Sequence, residues 1–287
     1  MSSLDSFLEQ GWNDHAAHAV AVASRLPEGL RLVQDDDGAM RLSALAHHVM
    51  GEHLQRWQEG LAFFAALTEH GTLATDGRAS IARCRASLAL SGDLADERGG
   101  LSASDRCRVT VMAAANLAVC DTPRASKLLQ EAALGGAALS DGDPGVRTLA
   151  ANSNNIAATL HDLAPLEPER RELMMRAAVL ARTCWERAGT WLEVGRAEYR
   201  LAVCWLAAGD PAEALKHARR CDSIVRENGA LPLEVFFAAE AIGLAARAAG
   251  DGEASVAASN IARQAFEQLP PDDQAWCRGT LDKLSAA

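Results

Sequence analysis

The sequence predicts an all-α protein, on three observations. Hydrophobic residues make up 49% of the 287 residues and aromatic residues only 5%, so the core has to be built mostly from Ala, Leu and Val. Ala is the strongest helix former. A β-rich fold uses more Tyr, Phe, Ile and Thr, whereas this chain has a single Tyr. Short stretches that contain Gly, Pro and Asp, residues typical of helix ends and turns, divide the chain into segments of helical length.

Helices are predicted almost from end to end. Pro123 and Pro211 mark first helical turns, where a missing N–H is tolerated. Five glycines stand where a helix is expected to end in a left-handed residue: Gly71, Gly189, Gly209, Gly229 and Gly250. The Asp-Asp-Asp-Gly run at 35–38 and the segment 91–104 are predicted to be loops. The helices are expected over 3–25, 39–54, 56–70, 76–91, 103–120, 123–136, 146–163, 167–187, 190–208, 211–227, 231–249, 252–268 and 271–285.

Charge and composition exclude several functional classes. A formal net charge of −10 disfavours nucleic-acid and anionic-membrane partners, because both require a positive field. No apolar run approaches the roughly 18 residues of a spanning helix, and the acidic amino terminus is not typical of a signal peptide. The 7 cysteines include no C-x-x-C pair, which indicates buried, reduced thiols in a cytoplasmic protein. The Trp residues are expected to pack between helices.

An internal repeat is visible in the second half of the chain. Residues 198–220 read EYRLAVCWLAAGDPAEALKHARR, and 242–262 repeat the same spacing of small residues around Gly250-Asp251. A fainter copy begins with NNIAATL at 154–160, and the weakest lies at 109–138. This pattern resembles the tetratricopeptide repeat over about 103–268, and the NNIAATL string is similar to its kinesin-light-chain type.

The resemblance implies an architecture. We expect a right-handed α-α superhelix of tetratricopeptide-like (TPR-like) helical hairpins over 76–287, in which neighbouring hairpins cover each other's apolar faces. An additional N-terminal helical segment, 1–75, is expected to pack on this solenoid. The helix over 271–285, which carries Asp272, Asp273, Arg278, Asp282 and Lys283, has the polar face that a terminal capping helix needs.

The resemblance also implies a peptide-binding groove, because the first helix of each repeat lines the concave face in this family. The expected groove residues are Asn154, Asn155, His161, Arg196, Tyr199, Arg200 and Arg247. An Asn can fix a peptide backbone and an Arg can fork a carboxylate. Thr110 and Ala114 stand where the family's carboxylate clamp has Lys and Asn, so a general or acidic-segment groove is favoured over a strict reader of C-terminal carboxylates. The alternative is that these arginines only pair with Glu193 or Glu240.

The N-terminal third offers a different chemistry, since most of the histidines lie there. His15 and His18 are three residues apart, and His48 and Glu52 four apart, so that each pair is expected to share one helix face. Two such helices could bring imidazoles and a carboxylate around a metal ion, although no H-E-x-x-H signature connects them. Structural or surface histidines are the simpler interpretation.

These observations favour an adaptor or regulatory protein that binds a protein or peptide and has no cofactor or catalytic activity of its own. The partner segment is expected to be acidic or to bear a carboxylate, and a homodimer is compatible with the sequence. Two alternatives stay open: a metal-binding protein or hydrolase that uses the histidines, and a sensor of a small ligand or peptide.

Overall fold

The fold is all-α. The computed structural model describes residues 3–69 and 73–285, and within these ranges it contains thirteen α-helices and no β-strand. Consecutive helices pack against one another in pairs. In the described ranges, no helix has both the length and the apolar character that crossing a bilayer requires. The chain forms two compact units, Met1–Leu139 and Ser140–Ala287, here called unit 1 and unit 2. The predicted division into 1–75 and 76–287 stays a prediction.

The described residues of unit 1 form six α-helices. The first is interrupted at His18, whose φ of −134° and ψ of 37° are not helical. The core of the unit is built from residues such as Leu26, Leu42, Leu45 and Phe64, all of them fully buried. The helices are α1 (Leu4–Leu30), α2 (Asp36–His47), α3 (Trp57–Thr68), α4 (Thr75–Ser91), α5 (Ala103–Leu117) and α6 (Thr122–Ala137).

The acidic run at 35–38 begins a helix, so the prediction of a loop was wrong there. Asp35 is the N-cap of α2 and accepts the N–H of Gly38 at 2.8 Å. Asp36 caps a second helix, because its carboxylate accepts N–H groups from Ala74 and Gly77 at 2.7 and 3.0 Å, at the start of α4. These hydrogen bonds lower the pKa of Asp36. Carboxylates are stabilised at helix amino termini, which explains why three acids in a row can start a helix.

A π-helical turn follows α2. It covers His48–His53, within the single helix predicted over 39–54. Its backbone bonds include Leu54 N–H to the Val49 carbonyl at 3.1 Å, an i→i+5 pattern. Short π-helical insertions of this kind are frequent at functional sites.

Unit 2 consists of seven helices. α7 packs on α8, α9 on α10 and α11 on α12, and the first helix of each pair also contacts the first helix of the next, α7 with α9 and α9 with α11. Gly209, Gly229 and Gly250 follow helices with φ of 86°, 98° and 80°, as predicted. The same prediction was wrong for Gly189, which ends α8 in an extended conformation with φ of −110°. The helices are α7 (Pro144–Asp162), α8 (Pro168–Ala188), α9 (Trp191–Ala208), α10 (Pro211–Glu227), α11 (Pro232–Ala248), α12 (Gly252–Glu267) and α13 (Pro271–Ser285).

The last helix, α13, packs on α11 and α12. It buries Cys277, Leu281 and Leu284 against Phe236 and Phe266. Trp276, on the same helix, is 67% exposed, so the prediction that the tryptophans pack between helices was wrong for this residue. Of the seven free cysteines, six are buried, as predicted, and Cys120 is exposed.

Buried charge fixes α9 between its neighbours. Glu198 on α9 is only 3% exposed and accepts bonds from Arg182 Nε of α8 and from the Nδ1 of His217 on α10, both at 2.7 Å. Burial by itself would raise the pKa of Glu198, but these two partners outweigh it and lower the pKa. A buried carboxylate satisfied on both oxygens holds the helix in one register.

Candidate functional site

Unit 2 contains a cavity of about 490 Å³ formed chiefly by α9 and α11. Asn154 of α7, Cys221 of α10 and Trp276 of α13 complete its wall. Arginine guanidinium groups and aromatic rings occur together in it, so both charge and apolar surface are available to a ligand. The lining residues are Asn154, Arg196, Tyr199, Arg200, Cys221, Leu233, Glu234, Phe237 and Trp276.

Arg196 is already paired. Its Nε donates to Glu234 Oε1 and Oε2 at 3.1 and 3.2 Å, and its Nη2 also bonds Oε1. Glu234 is 9% exposed at its side chain, whereas Arg196 is 58% exposed. The hydrogen bonds that Arg196 donates to Glu234 raise the pKa of its guanidinium. In the alternative interpretation of the sequence, Glu193 and Glu240 were the carboxylates expected to pair with the arginines. The carboxylate that pairs with Arg196 is that of Glu234, on the first helix of the next pair.

Arg200 differs from Arg196. Its Nε atom is buried and has no hydrogen-bond partner within the described ranges. A guanidinium N–H that is removed from water without an acceptor is costly, and a charged group more so. Arg200 lies one turn from Arg196 on α9, so both guanidinium groups belong to one face of the helix.

The aromatic side of the cavity consists of Tyr199, Phe237 and Trp276. The rings of Tyr199 and Phe237 are 5.5 Å apart, and those of Phe237 and Trp276 are 5.2 Å apart. The Tyr199 hydroxyl donates to Glu240 Oε2 at 3.0 Å. Burial raises the pKa of Glu240 to about 7, although Tyr199, Lys283 and Arg200 act in the opposite direction. Burial also raises the pKa of Tyr199, which therefore stays a neutral donor.

Four of the seven residues predicted for the groove line this cavity: Asn154, Arg196, Tyr199 and Arg200. The other three lie elsewhere in unit 2. Asn155 is exposed, His161 Nδ1 lies 3.3 Å from its neighbour Asp162, and Arg247 donates to the backbone carbonyl of Leu284.

Sequence reasoning missed Glu234 and Trp276 as cavity residues. Glu234 precedes Phe237 by three positions on α11, so helical spacing from Phe237 could have found it. Trp276 reaches the cavity only through the packing of α13, and no local pattern in the sequence carries that information.

A larger cavity, about 740 Å³, lies in unit 1 around the end of α1 and the start of α2. Two arginines line it: Arg41 is paired with Asp5 at 2.8 Å and lies 3.6 Å from Asp37, and Arg31 is the second. No aromatic pair lines it among the residues described. Since the smaller cavity of unit 2 combines two arginines with three aromatic rings, we regard it as the better ligand site.

Unit 1 brings three histidines together, here called the histidine cluster: His15 of α1 with His48 and His53 of the π-helical turn. One ring nitrogen of each lies within 4.8 Å of those of the other two. The ring centroids of His15 and His48 are 5.0 Å apart, and those of His48 and His53 are 4.7 Å apart. Trp12 packs beside them, with its ring 5.5 Å from that of His48.

The helical geometry decides which histidines meet. In an α-helix, residues five apart point about 140° away from each other, yet the π-helical turn places His48 Nε2 only 3.1 Å from His53 Nε2. His18 was predicted to share a face with His15, but it is exposed and sits at the kink of α1. His53 therefore joins the cluster, and His18 does not belong to it. His70 and Gly71 lie outside the described residues.

Two further nitrogens of the cluster, one each on His48 and His15, face oxygen acceptors. His48 Nδ1 lies 2.9 Å from Glu52 Oε1, so the predicted pairing of these two residues is present, and His15 Nδ1 is hydrogen-bonded to the Trp12 carbonyl. Burial would raise the pKa of Glu52, but the bond from His48 and the nearby imidazoles lower it overall. Burial lowers the pKa of His53, and the charges of His48 and His15 lower it further.

Comparison of the chain with protein-family models, with curated proteins and with solved structures gave no match. The interpretation of both sites therefore rests on their geometry and chemistry.

Proposed function

We propose that unit 2 is a TPR-like binding module whose cavity holds a carboxylate-bearing segment of a protein partner, without catalysis of its own. The observation that supports this most directly is Arg200, whose buried Nε lacks an acceptor beside three aromatic rings that line the same cavity. Nε itself is closed to solvent, so a ligand carboxylate would approach the part of the Arg200 side chain that faces the cavity and give the guanidinium an acceptor there. Guanidinium–carboxylate pairs are among the strongest hydrogen-bonded contacts in proteins.

The packing of the helix pairs supports the TPR-like part of the proposal. The first helices α7, α9 and α11 contact one another in sequence, as they do in stacked helical hairpins. Residues at equivalent positions of these helices then lie side by side. Asn154, Arg196 and Phe237 line one cavity in this way, although they are far apart in the sequence.

The residues that line the cavity indicate which chemical groups the partner segment needs. Tyr199, Phe237 and Trp276 provide apolar surface, and Trp276 exposes 67% of its area to solvent. Large aromatic rings with a wet edge are typical anchors at protein interfaces. A cavity of about 490 Å³ accommodates one or two side chains, so we expect a short motif with an apolar residue next to a carboxylate.

Selection from a random peptide library displayed on phage, followed by fluorescence anisotropy with the selected peptides, tests this proposal. The full chain should enrich peptides with an acidic residue or a free C-terminus beside an aromatic or aliphatic residue. Arg200→Ala should weaken binding by about 1.5–3 kcal/mol, roughly ten- to a hundredfold, because a charge-assisted hydrogen bond is lost. Peptides in which the carboxylate is replaced by an amide should lose a similar factor.

The matched control is Arg220→Ala, which removes an exposed guanidinium of α10 that does not line the cavity. A second experiment measures binding of an N-acetylated amino acid with an aromatic side chain. Its binding would distinguish a sensor of small carboxylates from a module that binds peptides. The proposal fails if the selected peptides bind wild type and Arg200→Ala equally, with helix content unchanged by circular dichroism.

A further inference from the structure

We propose that the histidine cluster of unit 1, His15 with His48 and His53, binds a divalent first-row transition metal, with zinc as its expected occupant. This site is separate from the cavity of unit 2 and does not depend on the function proposed for it. It would use three imidazole nitrogens and leave further coordination positions to water or to a ligand.

The donor set fits such a metal. Imidazole nitrogen suits Zn, Cu, Ni and Fe, and three histidines with an open fourth position form a recurrent zinc arrangement. With Zn–N bonds of about 2.0–2.1 Å, tetrahedral ligands stand roughly 3.3–3.4 Å apart. The Nε2 atoms of His48 and His53 are already 3.1 Å apart, and the third nitrogen falls within 4.8 Å of both. A side-chain adjustment on the order of 1 Å would bring the three nitrogens to the spacing of tetrahedral zinc ligands.

The surroundings orient two of the three rings for coordination. Glu52 accepts from His48 Nδ1 at 2.9 Å, and the Trp12 carbonyl accepts from His15 Nδ1. A neutral imidazole that donates through Nδ1 carries its lone pair on Nε2, where a metal can bind. A histidine supported by a carboxylate or carbonyl on its far nitrogen is the usual outer-shell arrangement of metal-binding histidines.

A cluster with a purely packing role would explain less. In this cluster, ring nitrogens of three imidazoles are turned toward one another. At 3.1 Å, the Nε2 atoms of His48 and His53 cannot both present a lone pair, so one of them has to carry a proton and act as donor. A metal ion would satisfy these lone pairs together. The π-helical turn that creates the pair replaces regular α-helical bonds, and this distortion coincides with the residues that converge. Ions can reach the site, because the side chains of His48 and Glu52 are 25% and 21% exposed.

The test uses full-length protein without an affinity tag, stripped with a chelator and titrated with zinc sulfate in a calorimeter and with cobalt(II) in a spectrophotometer. Wild type should bind one equivalent, and the cobalt form should show the intense visible absorption of tetrahedral coordination. His53→Gln and His15→Gln should abolish the absorption. Glu52→Gln should bind zinc about 10–100-fold more weakly, because the outer-shell carboxylate is lost.

The matched control is His18→Gln, which removes an exposed histidine of the same helix that lies outside the cluster and should bind metal like wild type. Circular dichroism on each variant separates loss of a ligand from loss of the fold, and His53 is an exposed residue whose replacement should leave the fold intact. Wild type that binds less than one equivalent would overturn the proposal. So would a folded His53→Gln variant with unchanged zinc affinity.

Discussion

Arg196 and Glu234 form a forked ion pair between α9 and α11, in which Arg196 Nε lies 3.1 and 3.2 Å from the two carboxylate oxygens of Glu234. The pair occupies one side of the cavity in unit 2. Arg200, one turn along α9, has a buried Nε without an acceptor in the described part of the chain. Two arginines of one helix face thus differ: Arg196 forms a forked ion pair, whereas Arg200 has no such partner among the described residues.

Glu234→Gln should tighten binding of a carboxylate-bearing peptide. The substitution preserves the shape of the side chain and removes a negative charge from the cavity, so that Arg196 becomes available and repulsion of the ligand falls. We expect a gain of about 0.5–1.5 kcal/mol, roughly two- to tenfold in Kd, measured by fluorescence anisotropy. Stability should change by less than about 1 kcal/mol, because Gln keeps a hydrogen-bond acceptor for Arg196 and the Arg196 side chain, 58% exposed, stays solvated.

Glu267→Gln is the control for this experiment, since it removes an exposed carboxylate at the end of α12. It should leave peptide affinity unchanged. Equal or weaker binding by Glu234→Gln would show that Glu234 helps the ligand and does not compete with it for Arg196.

Glu240 should make unit 2 less stable as the pH rises from about 5 to 8. Its pKa is raised to about 7 in the folded state, chiefly by burial, from an ordinary value of 4.5. Between these two pH values the folded state holds more protons than the unfolded state, so the free energy of unfolding decreases as the pH increases. The groups around Glu240 are Tyr199 and Arg200 of α9 and Lys283 of α13.

Glu240→Gln should remove this dependence while keeping an acceptor for the Tyr199 hydroxyl. Relative to wild type, the variant should gain up to about 3 kcal/mol between pH 5 and pH 8, since each unit of pKa shift corresponds to about 1.4 kcal/mol. Urea unfolding followed by circular dichroism at pH 5, 6.5 and 8 measures it. Parallel pH profiles for the two proteins would mean that Glu240 titrates normally.

The sequence was sufficient for the helices of unit 2 because their boundary signals are local. Pro211 begins α10 with Asp210 as its N-cap, and Gly209 ends α9 in the left-handed conformation. Contacts between distant elements could not be obtained in this way. Arg196 and Glu234 are 38 residues apart, and Trp276 joins the cavity only because α13 packs on α11.

The histidine cluster shows a second limit of sequence reasoning. Helical spacing of three or four residues selected His15, His18, His48 and Glu52, on the assumption of regular α-helices. The kink at His18 and the π-helical turn at His48–His53 both depart from that assumption. The pairing of His48 with Glu52 is nevertheless present, because an i,i+4 contact forms within the turn. Departures of this kind depend on tertiary packing, which residue spacing does not encode.

Gly51→Ala should destabilise unit 1 by about 1–3 kcal/mol, the usual cost of overpacking a filled interior. A Cβ atom at Gly51 would stand 2.4 Å from Asn116 Oδ1. Asn116 cannot easily move, because it is 2% exposed and donates to Ser91 Oγ at 3.0 Å. Since Gly51 lies in the π-helical turn between His48 and His53, cobalt(II) binding should weaken as well.

Gly279→Ala is the comparison: its Cβ meets no atom within 4 Å in the middle of α13, so it should stabilise the protein by about 0.5–1 kcal/mol. Urea unfolding of both variants and of wild type measures these changes. A Gly51→Ala protein as stable as Gly279→Ala would mean that Asn116 moves aside without cost and that this part of the interior is not tightly packed.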